Sequence, residues 1–419
     1  MLVCTNMPFS PIIISIMRSK VLPESAAAAA VATSTGDDAD FRAAFRSWLD
    51  DHLPPAWRHR SFGATDTLLS EQRRGLGRLL GEAGWLTVNW AQSAGGLGQS
   101  AARRIAVLEE LVAAGAPEPM NSNVLGIFAP TLIKFGSEEQ CAAFLPDMVS
   151  HDAIWCQGFS EPDAGSDLAA ISTRGEIVDD EIIITGQKVW TSYAHMADYC
   201  YILVRTERSD KRHRGLSLVV LPMHQEGVTV RPLRNIVGTD EFCEVFLDGA
   251  RAPLANVVGS LGDGWRMAMY ALGQERSVGL AQRSLKLKGE FNALAGMICA
   301  AQAAGDPRAT PGMTTGPMVD SLVRALVTSA TVRRAIELDG AGEDIGAVAS
   351  VAKIFWSEGH QKQMQLAAEF LGPDFVAGDA PGANWYRASL FARAETIYGG
   401  TSQIQRNVLA KHLGLPKGR

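Results

Sequence analysis

The chain has 419 residues, enough by length for about three domains of ordinary size. Hydrophobic residues make up 47% and charged residues 20%, which excludes a long disordered protein; a net charge of −6 argues against a general nucleic-acid binder or an electrostatic membrane anchor. No apolar run approaches the about 18 residues of a membrane span, and the 6 cysteines and 8 histidines show no metal-ligand spacing.

Residues 1–36 read as a disordered tail rather than a targeting segment. The apolar run 12–16 is short, and its cations, Arg18 and Lys20, follow it instead of preceding it. Met17 is a second candidate start. Helical spacing begins with Phe41, Phe45, Trp48 and Leu49, with Asp37 or Asp38 as N-cap and Pro54-Pro55 as the stop. Further helices are predicted near 70–83, 101–114 and 122–135. Ser137 and Gln140 form a capping box for another helix, which Pro146 is expected to end. Residues 37–150 therefore form an N-terminal all-helical domain.

Between 151 and 260 the period changes. Residues 176–178 and 182–185 around Asp179-Asp180 read as a hairpin, and strands follow at 199–205, 216–221, 228–231 and 243–247. This is a middle antiparallel β domain. From 261 onward the chain is helical again, over 265–299, 318–339, 343–371, 385–398 and 402–413. A Pro/Gly/Thr linker spans 305–317, and Gly372-Pro373 breaks the third of these helices. The fold class is α+β and multidomain. The scattered cysteines (Cys4, Cys141, Cys156, Cys200, Cys243, Cys299) read as free thiols of a reducing cytoplasm.

Three segments carry candidate chemistry. Residues 157–167 leave the first strand with a proline turn and a Gly-Ser pair. They read as a polar turn or as a loop whose N–H groups and hydroxyls receive a polar ligand. They are not a dinucleotide fingerprint, since neither a crossover helix nor a parallel strand is expected to follow. Residues 186–192 hold Trp190 among hydroxyl residues; Trp190 is either a core residue or the cover of an aromatic face. Residues 398–406 join two helices through Gly399-Gly400, either as an ordinary turn or as a close backbone approach to a ligand. Thr401 or Ser402 can cap the last helix, whose N-terminus suits an anion.

Taken together these segments resemble the acyl-CoA dehydrogenase family of flavoenzymes. The resemblance rests on Gly95-Gly96-Leu97-Gly98, Phe135-Gly-Ser-Glu-Glu-Gln140, Ser160-Glu-Pro-Asp-Ala-Gly-Ser-Asp167, Gly186-Gln-Lys-Val-Trp190, Glu244-Val-Phe-Leu247 and Ile397-Tyr-Gly-Gly-Thr-Ser-Gln-Ile-Gln-Arg406. It implies an N-terminal helical domain, a middle β domain and a C-terminal four-helix bundle. It also implies bound FAD and α,β-dehydrogenation of an acyl-CoA thioester to the trans-2-enoyl-CoA. In that chemistry a carboxylate removes the α-proton and hydride leaves for flavin N5, with electrons passed to an electron-transferring flavoprotein. One branch of the family places its glutamate where this chain has Gly399. Another carries it on the first long helix of the C-terminal domain, before an arginine, and Gln274-Glu275-Arg276 matches that pattern. Glu275 is therefore the candidate catalytic base. Its own helix offers no Lys or Arg at i±3 or i±4, and a carboxylate among small and apolar neighbours favours its protonated form. Glu395 is the alternative.

The remaining roles implied by the resemblance fall on matching positions. Phe159 and Ser160 correspond to the flavin-contacting strand end, and Trp190 and Ser192 to the pair that covers the ring and bonds its N5 side. Thr401 and Gln403 correspond to contacts with the adenine–pyrophosphate half of FAD, and Ser166 to the contact with CoA. The Gly399 N–H corresponds to the group that polarises the thioester carbonyl. Two departures stand out. No Arg-x-x-Phe-Gly follows the first long helix, and Leu371-Gly-Pro373 replaces the usual Gly-Gly. The pattern is similar to a bacterial branch acting on bulky, branched or steroid-side-chain acyl-CoAs, some of whose members are heterotetramers. A homo- or hetero-oligomer, a dimer of dimers, is the expected assembly. Two alternatives remain open: a dehydrogenase of carrier-protein-bound acyl groups and a non-catalytic partner subunit.

Overall fold

The computed structural model describes residues 38–58, 70–341, 343–376 and 383–415. The expected tail, 1–36, lies outside them. Among the described residues five helices come first: α1 (Asp38–His52), α2 (Ser70–Glu82), α3 (Ala101–Ala113), α4 (Ser122–Phe135) and α5 (Glu138–Ser150). The α1 stripe is buried at Phe41, Phe45, Trp48 and Leu49, as its spacing requires. The capping box of α5 is complete, with Gln140 N–H bonding Ser137 Oγ at 3.2 Å and Ser137 N–H bonding Gln140 Oε1 at 3.1 Å. Pro146 does not end α5. The helix runs four residues further to Ser150 with the Pro146 ring buried, so packing offsets a proline cost of about 3 kcal/mol.

Eight strands follow: β1 (Trp155–Gly158), β2 (Arg174–Val178), β3 (Glu181–Ser192), β4 (Tyr199–Arg205), β5 (Leu216–Pro222), β6 (Val228–Leu233), β7 (Phe242–Pro253) and β8 (Val257–Val258). They form one sheet of order β6-β7-β3-β2-β4-β5-β8, with β1 added against β4. The hairpin turns at Asp179, whose φ is 51°. The sheet is not wholly antiparallel. β1 pairs parallel with β4, Trp155 opposite Tyr199 to Gly158 opposite Ile202, although no crossover helix joins them. Central strands are buried on both faces. Tyr201 and Leu203 of β4 join the N-terminal helices in one core, while Cys200, Ile202 and Val204 join a second core behind the sheet.

The C-terminal part begins with α6 (Gly264–Ala303), 40 residues and about 60 Å long. It packs against α3 and α4 as well as the bundle, and so ties the two helical regions together. A short helix, α7 (Pro311–Thr315), interrupts the expected linker. Then come α8 (Pro317–Gly340), α9 (Gly346–Leu371), α10 (Ala383–Glu395) and α11 (Ser402–His412).

Candidate active site

The segment 186–192 continues β3 to its end. Between Lys188, opposite Val245, and Thr191, opposite Cys243, β3 carries one residue more than β7. This β-bulge falls at Val189-Trp190 and gives Trp190 a φ of 60°. The bulge turns the indole outward. Trp190 is 62% exposed, which rules out the core alternative, and the edge-on ring of Phe242 flanks it at 6.1 Å. Ser192, half-buried, ends the same strand.

Phe159 and Ser160 sit beside this strand. Val189 N–H donates to Ser160 C=O at 3.0 Å. Below them lies Lys188, fully buried, whose ammonium donates to Phe159 C=O (3.1 Å), Glu161 Oε1 (2.9 Å) and Leu203 C=O (2.7 Å). Glu161 also accepts from Ser172 N–H (2.6 Å), Ser172 Oγ (2.9 Å) and Thr173 N–H (2.9 Å). Burial works against the Glu161 charge, but the Lys188 ammonium and these donors overcome it and hold the carboxyl at about 2. Burial pushes the Lys188 ammonium down while Glu161 opposes that shift. The pair fastens the loop 159–161 to β3. Ser166 lies further out on the same loop and is exposed.

Glu275 and Gly399 meet in the helical bundle. A Cβ at Gly399 would lie 3.1 Å from Glu275 Oε1 and 3.7 Å from Lys353 Cε. The two alternative glutamate positions of the sequence reading thus converge on one point in space. Gly399 has φ 63° and Gly400 φ 89°. Alanine at 399 would cost about 1–2 kcal/mol for its left-handed backbone and would press on the Glu275 carboxylate. Gly399→Ala is therefore expected to lower the unfolding free energy by that amount, read as a lower urea midpoint; an unchanged midpoint would contradict the close approach. The expectation of small and apolar surroundings for Glu275 holds only along its own helix. Across from it stands the buried Lys353 ammonium, which donates to Glu395 C=O. Burial, and then Arg283, push that ammonium down to about 8, against the pull of Glu395 and Glu275.

Glu395 is not placed as a base. It is buried, and His360 Nδ1 lies 2.7 Å from its Oε2 while His360 Nε2 lies 3.0 Å from Glu290 Oε2. Burial opposes the charge of His360, but the two carboxylates hold its ionisation well above the ordinary histidine range. After Gly400, the Thr401 hydroxyl caps α11 by accepting from Ile404 N–H at 3.1 Å. Gln403 is exposed. No hydrogen bond or ion pair joins Thr401 or Gln403 to the Trp190–Ser192 set among the described residues. The link between the two halves runs through Tyr201, whose phenol feels the Glu275 charge and whose ring meets Phe159 edge-on at 5.7 Å.

Sequence reasoning missed Glu161, Lys188, Lys353, His360 and Gln405. Gln405 Nε2 donates to Gly399 C=O at 3.2 Å and its Oε1 accepts from Ser350 Oγ at 2.8 Å, which clamps the Gly-Gly turn. Only Lys188 left a signal: it shares the inward parity of Ile182 and Ile184.

The residues present suit FAD. A large indole stands uncovered at a bulge, which a flat ring would bury. Ser402 Oγ at the first turn of α11 is buried without a hydrogen-bond partner among the described residues, at a helix N-terminus suited to phosphate.

Family models match along nearly the whole chain: acyl-CoA dehydrogenase N-terminal domain over residues 35–152, middle domain over 156–250 and C-terminal domain over 262–414. The chain is 38% identical over 394 residues to acyl-CoA dehydrogenase IpdE1 of Mycobacterium tuberculosis, covering 91% of this chain and 98% of that one. Among solved structures, the Tcur3481-Tcur3483 steroid ACAD superposes with a TM-score of 0.79 at 26% identity, covering 91% of this chain and 98% of that one. The ChsE4-ChsE5 complex from Mycobacterium tuberculosis superposes with a TM-score of 0.76 at 29% identity, covering 92% and 99%.

Proposed function

The chain belongs to the acyl-CoA dehydrogenase family of FAD-dependent oxidoreductases, and from that premise we propose that it desaturates an acyl-CoA thioester between Cα and Cβ with Glu275 as the base. The observation that carries this reading is the meeting of Glu275 Oε1 with the Gly399 backbone. It sets a proton acceptor beside an N–H able to receive a developing enolate oxygen.

Each residue then has a task. Glu275 takes the α-proton. The Gly399 N–H polarises the thioester carbonyl, and Gln405 holds that turn in place. Trp190 covers one face of the flavin and Ser192 bonds its edge, with Phe159 and Ser160 at the strand end beside them. Thr401, Gln403 and the α11 N-terminus hold the phosphate half. Bound FAD supplies the hydride acceptor that no side chain of this protein can replace. Ser166 contacts the CoA moiety. Near it the exposed loop after β4 carries Arg208, Lys211, Arg212 and Arg214, and Arg212 pairs with Asp167 at 3.1 Å. That cationic loop suits the phosphates of CoA.

Two similar solved structures are the ChsE4-ChsE5 complex and the Tcur3481-Tcur3483 steroid ACAD, each named for two components. Their likeness supports a bulky, ring-containing acyl group and a heteromeric assembly for this chain. The four buried free cysteines and the exposed Cys299 fit a reducing cytoplasm, and no described helix is long and apolar enough to cross a membrane. An electron-transferring flavoprotein is the electron acceptor in this reading.

The test is a visible absorption spectrum of the purified protein, before and after anaerobic addition of acyl-CoA thioesters. The expected result is a flavin spectrum that bleaches with ring-bearing thioesters. A protein that carries FAD and stays oxidised with every thioester, also when its partner chain is present, would overturn the proposal.

A further inference from the structure

Lys353 lies on α9 and is only 2% exposed. Burying an ammonium is costly unless its three N–H groups and its charge are met. Its hydrogen bond goes to a neutral acceptor, the C=O of Glu395, which is the last residue of α10. That bond suits a helix C-terminus but supplies no full counter-charge. The rings of Trp356 and Tyr398, with centres 5.4 Å and 5.5 Å from Nζ, offset part of the charge. The nearby carboxylates are turned elsewhere: Glu395 lies 2.7 Å from His360, and Glu358 lies 2.6 Å from Arg406 of α11. Arg324, which approaches α9 from α8, is held by Asp320 at 2.8 Å.

Glu275 is the carboxylate left to balance this cation. A Cβ at Gly399 would lie 3.1 Å from Glu275 Oε1 and 3.7 Å from Lys353 Cε, so those two atoms are at most 6.8 Å apart, the two distances laid end to end. Nζ is one bond further, which puts the ammonium within about 8 Å of the carboxylate. Among the described residues no direct ion pair joins them. That separation suits a base. A counter-charge a short way off favours the ionised carboxylate yet leaves its lone pairs open to a proton. The other groups that feel the Glu275 charge are the buried phenols of Tyr201 and Tyr398, which burial keeps neutral, and Arg283, half-buried and about 12 Å further along α6.

We infer that Lys353 is a positioning residue for proton abstraction: it pins the end of α10 ahead of the Gly399 turn and is the counter-charge that keeps Glu275 ionised. This rests on the dehydrogenase reading and deepens it. Unit charges about 8 Å apart at an effective dielectric constant of about 20 shift each other's ionisation by about one to two pH units.

The first test is rapid mixing of the FAD-loaded protein with 3-cyclohexylpropanoyl-CoA, reading flavin bleaching from about pH 5 to about pH 8. Lys353→Gln is expected to move the acid limb of the rate profile up by about one to two pH units, and Lys353→Arg to leave it in place. A uniform loss of rate in Lys353→Gln with the limb unmoved, or a limb that moves in Lys353→Arg, overturns the inference. The second test needs no substrate and compares urea unfolding of wild type, Lys353→Gln, Glu275→Gln and the double variant. The double variant is expected to lose about tenfold to hundredfold less in its folding equilibrium than the two single losses combined. Additive losses overturn the inference alone. A wild type that never bleaches overturns the dehydrogenase reading and the role in proton abstraction with it. If Lys353→Gln does not fold, the double variant decides: removing both charges restores folding when they are partners, and a double variant equally unfolded overturns the inference.

Discussion

Glu275→Gln is expected to leave the protein yellow and folded while lowering its turnover about 10²–10⁴-fold, the usual contribution of a general base. The substitution keeps shape and removes only the proton acceptor. Neither Glu395 nor position 399 is placed to take over. Glu395, the alternative on sequence grounds, is buried against His360 and lends its carbonyl to Lys353. Gly399 has no side chain, and a Cβ there would already touch the Glu275 carboxylate. Rapid-mixing measurement of flavin bleaching separates the proton-transfer step from binding. If Glu275→Gln bleached at the wild-type rate, the base would have to come from outside this chain, and the partner-subunit alternative would gain the ground that Glu275 lost.

What could be read in advance follows the range of the interactions involved. The Ser137–Gln140 box and the Thr401 cap are local, and each is present as its residues predict. So is the hairpin at Asp179, because Asp tolerates the left-handed turn it requires. Glu275 and the Gly399 turn stood out through resemblance, and the fold brings them together. The features that escaped are those in which a residue's setting is decided far away in the chain. The Trp190 bulge exists only relative to β7, more than 50 residues on, so the same seven letters read as core or as surface. β1 and β4 pair in parallel through residues 44 apart, beyond any turn signal. Pro146 stays inside α5 for a related reason, since tertiary burial outweighs the local rule that proline ends helices.

The same argument from distance makes Lys188 the most consequential scaffold residue. Lys188→Met removes the cation from a fully buried pair and leaves Glu161 with its backbone donors but no counter-charge. Breaking such a pair from one side costs about 3–5 kcal/mol, because the remaining charge stays desolvated. The loop it holds carries Phe159 and Ser160, so FAD retention is expected to fall along with the urea midpoint. Adding Glu161→Gln should recover a good part of the loss, since the uncompensated charge then disappears while the donors keep an acceptor. Wild-type acid sensitivity supplies an independent check. The Glu161 carboxyl is held at about 2 in the folded protein, below its unfolded value of about 4.3. Its contribution is therefore complete above roughly pH 4.3 and is lost as the pH falls toward about 2. Unfolding curves across that window should be steeper in pH for wild type than for the Lys188→Met, Glu161→Gln double variant, which has no such group to titrate. Parallel curves, or a Lys188→Met protein as stable as wild type, would mean that the loop is held by its backbone bonds alone.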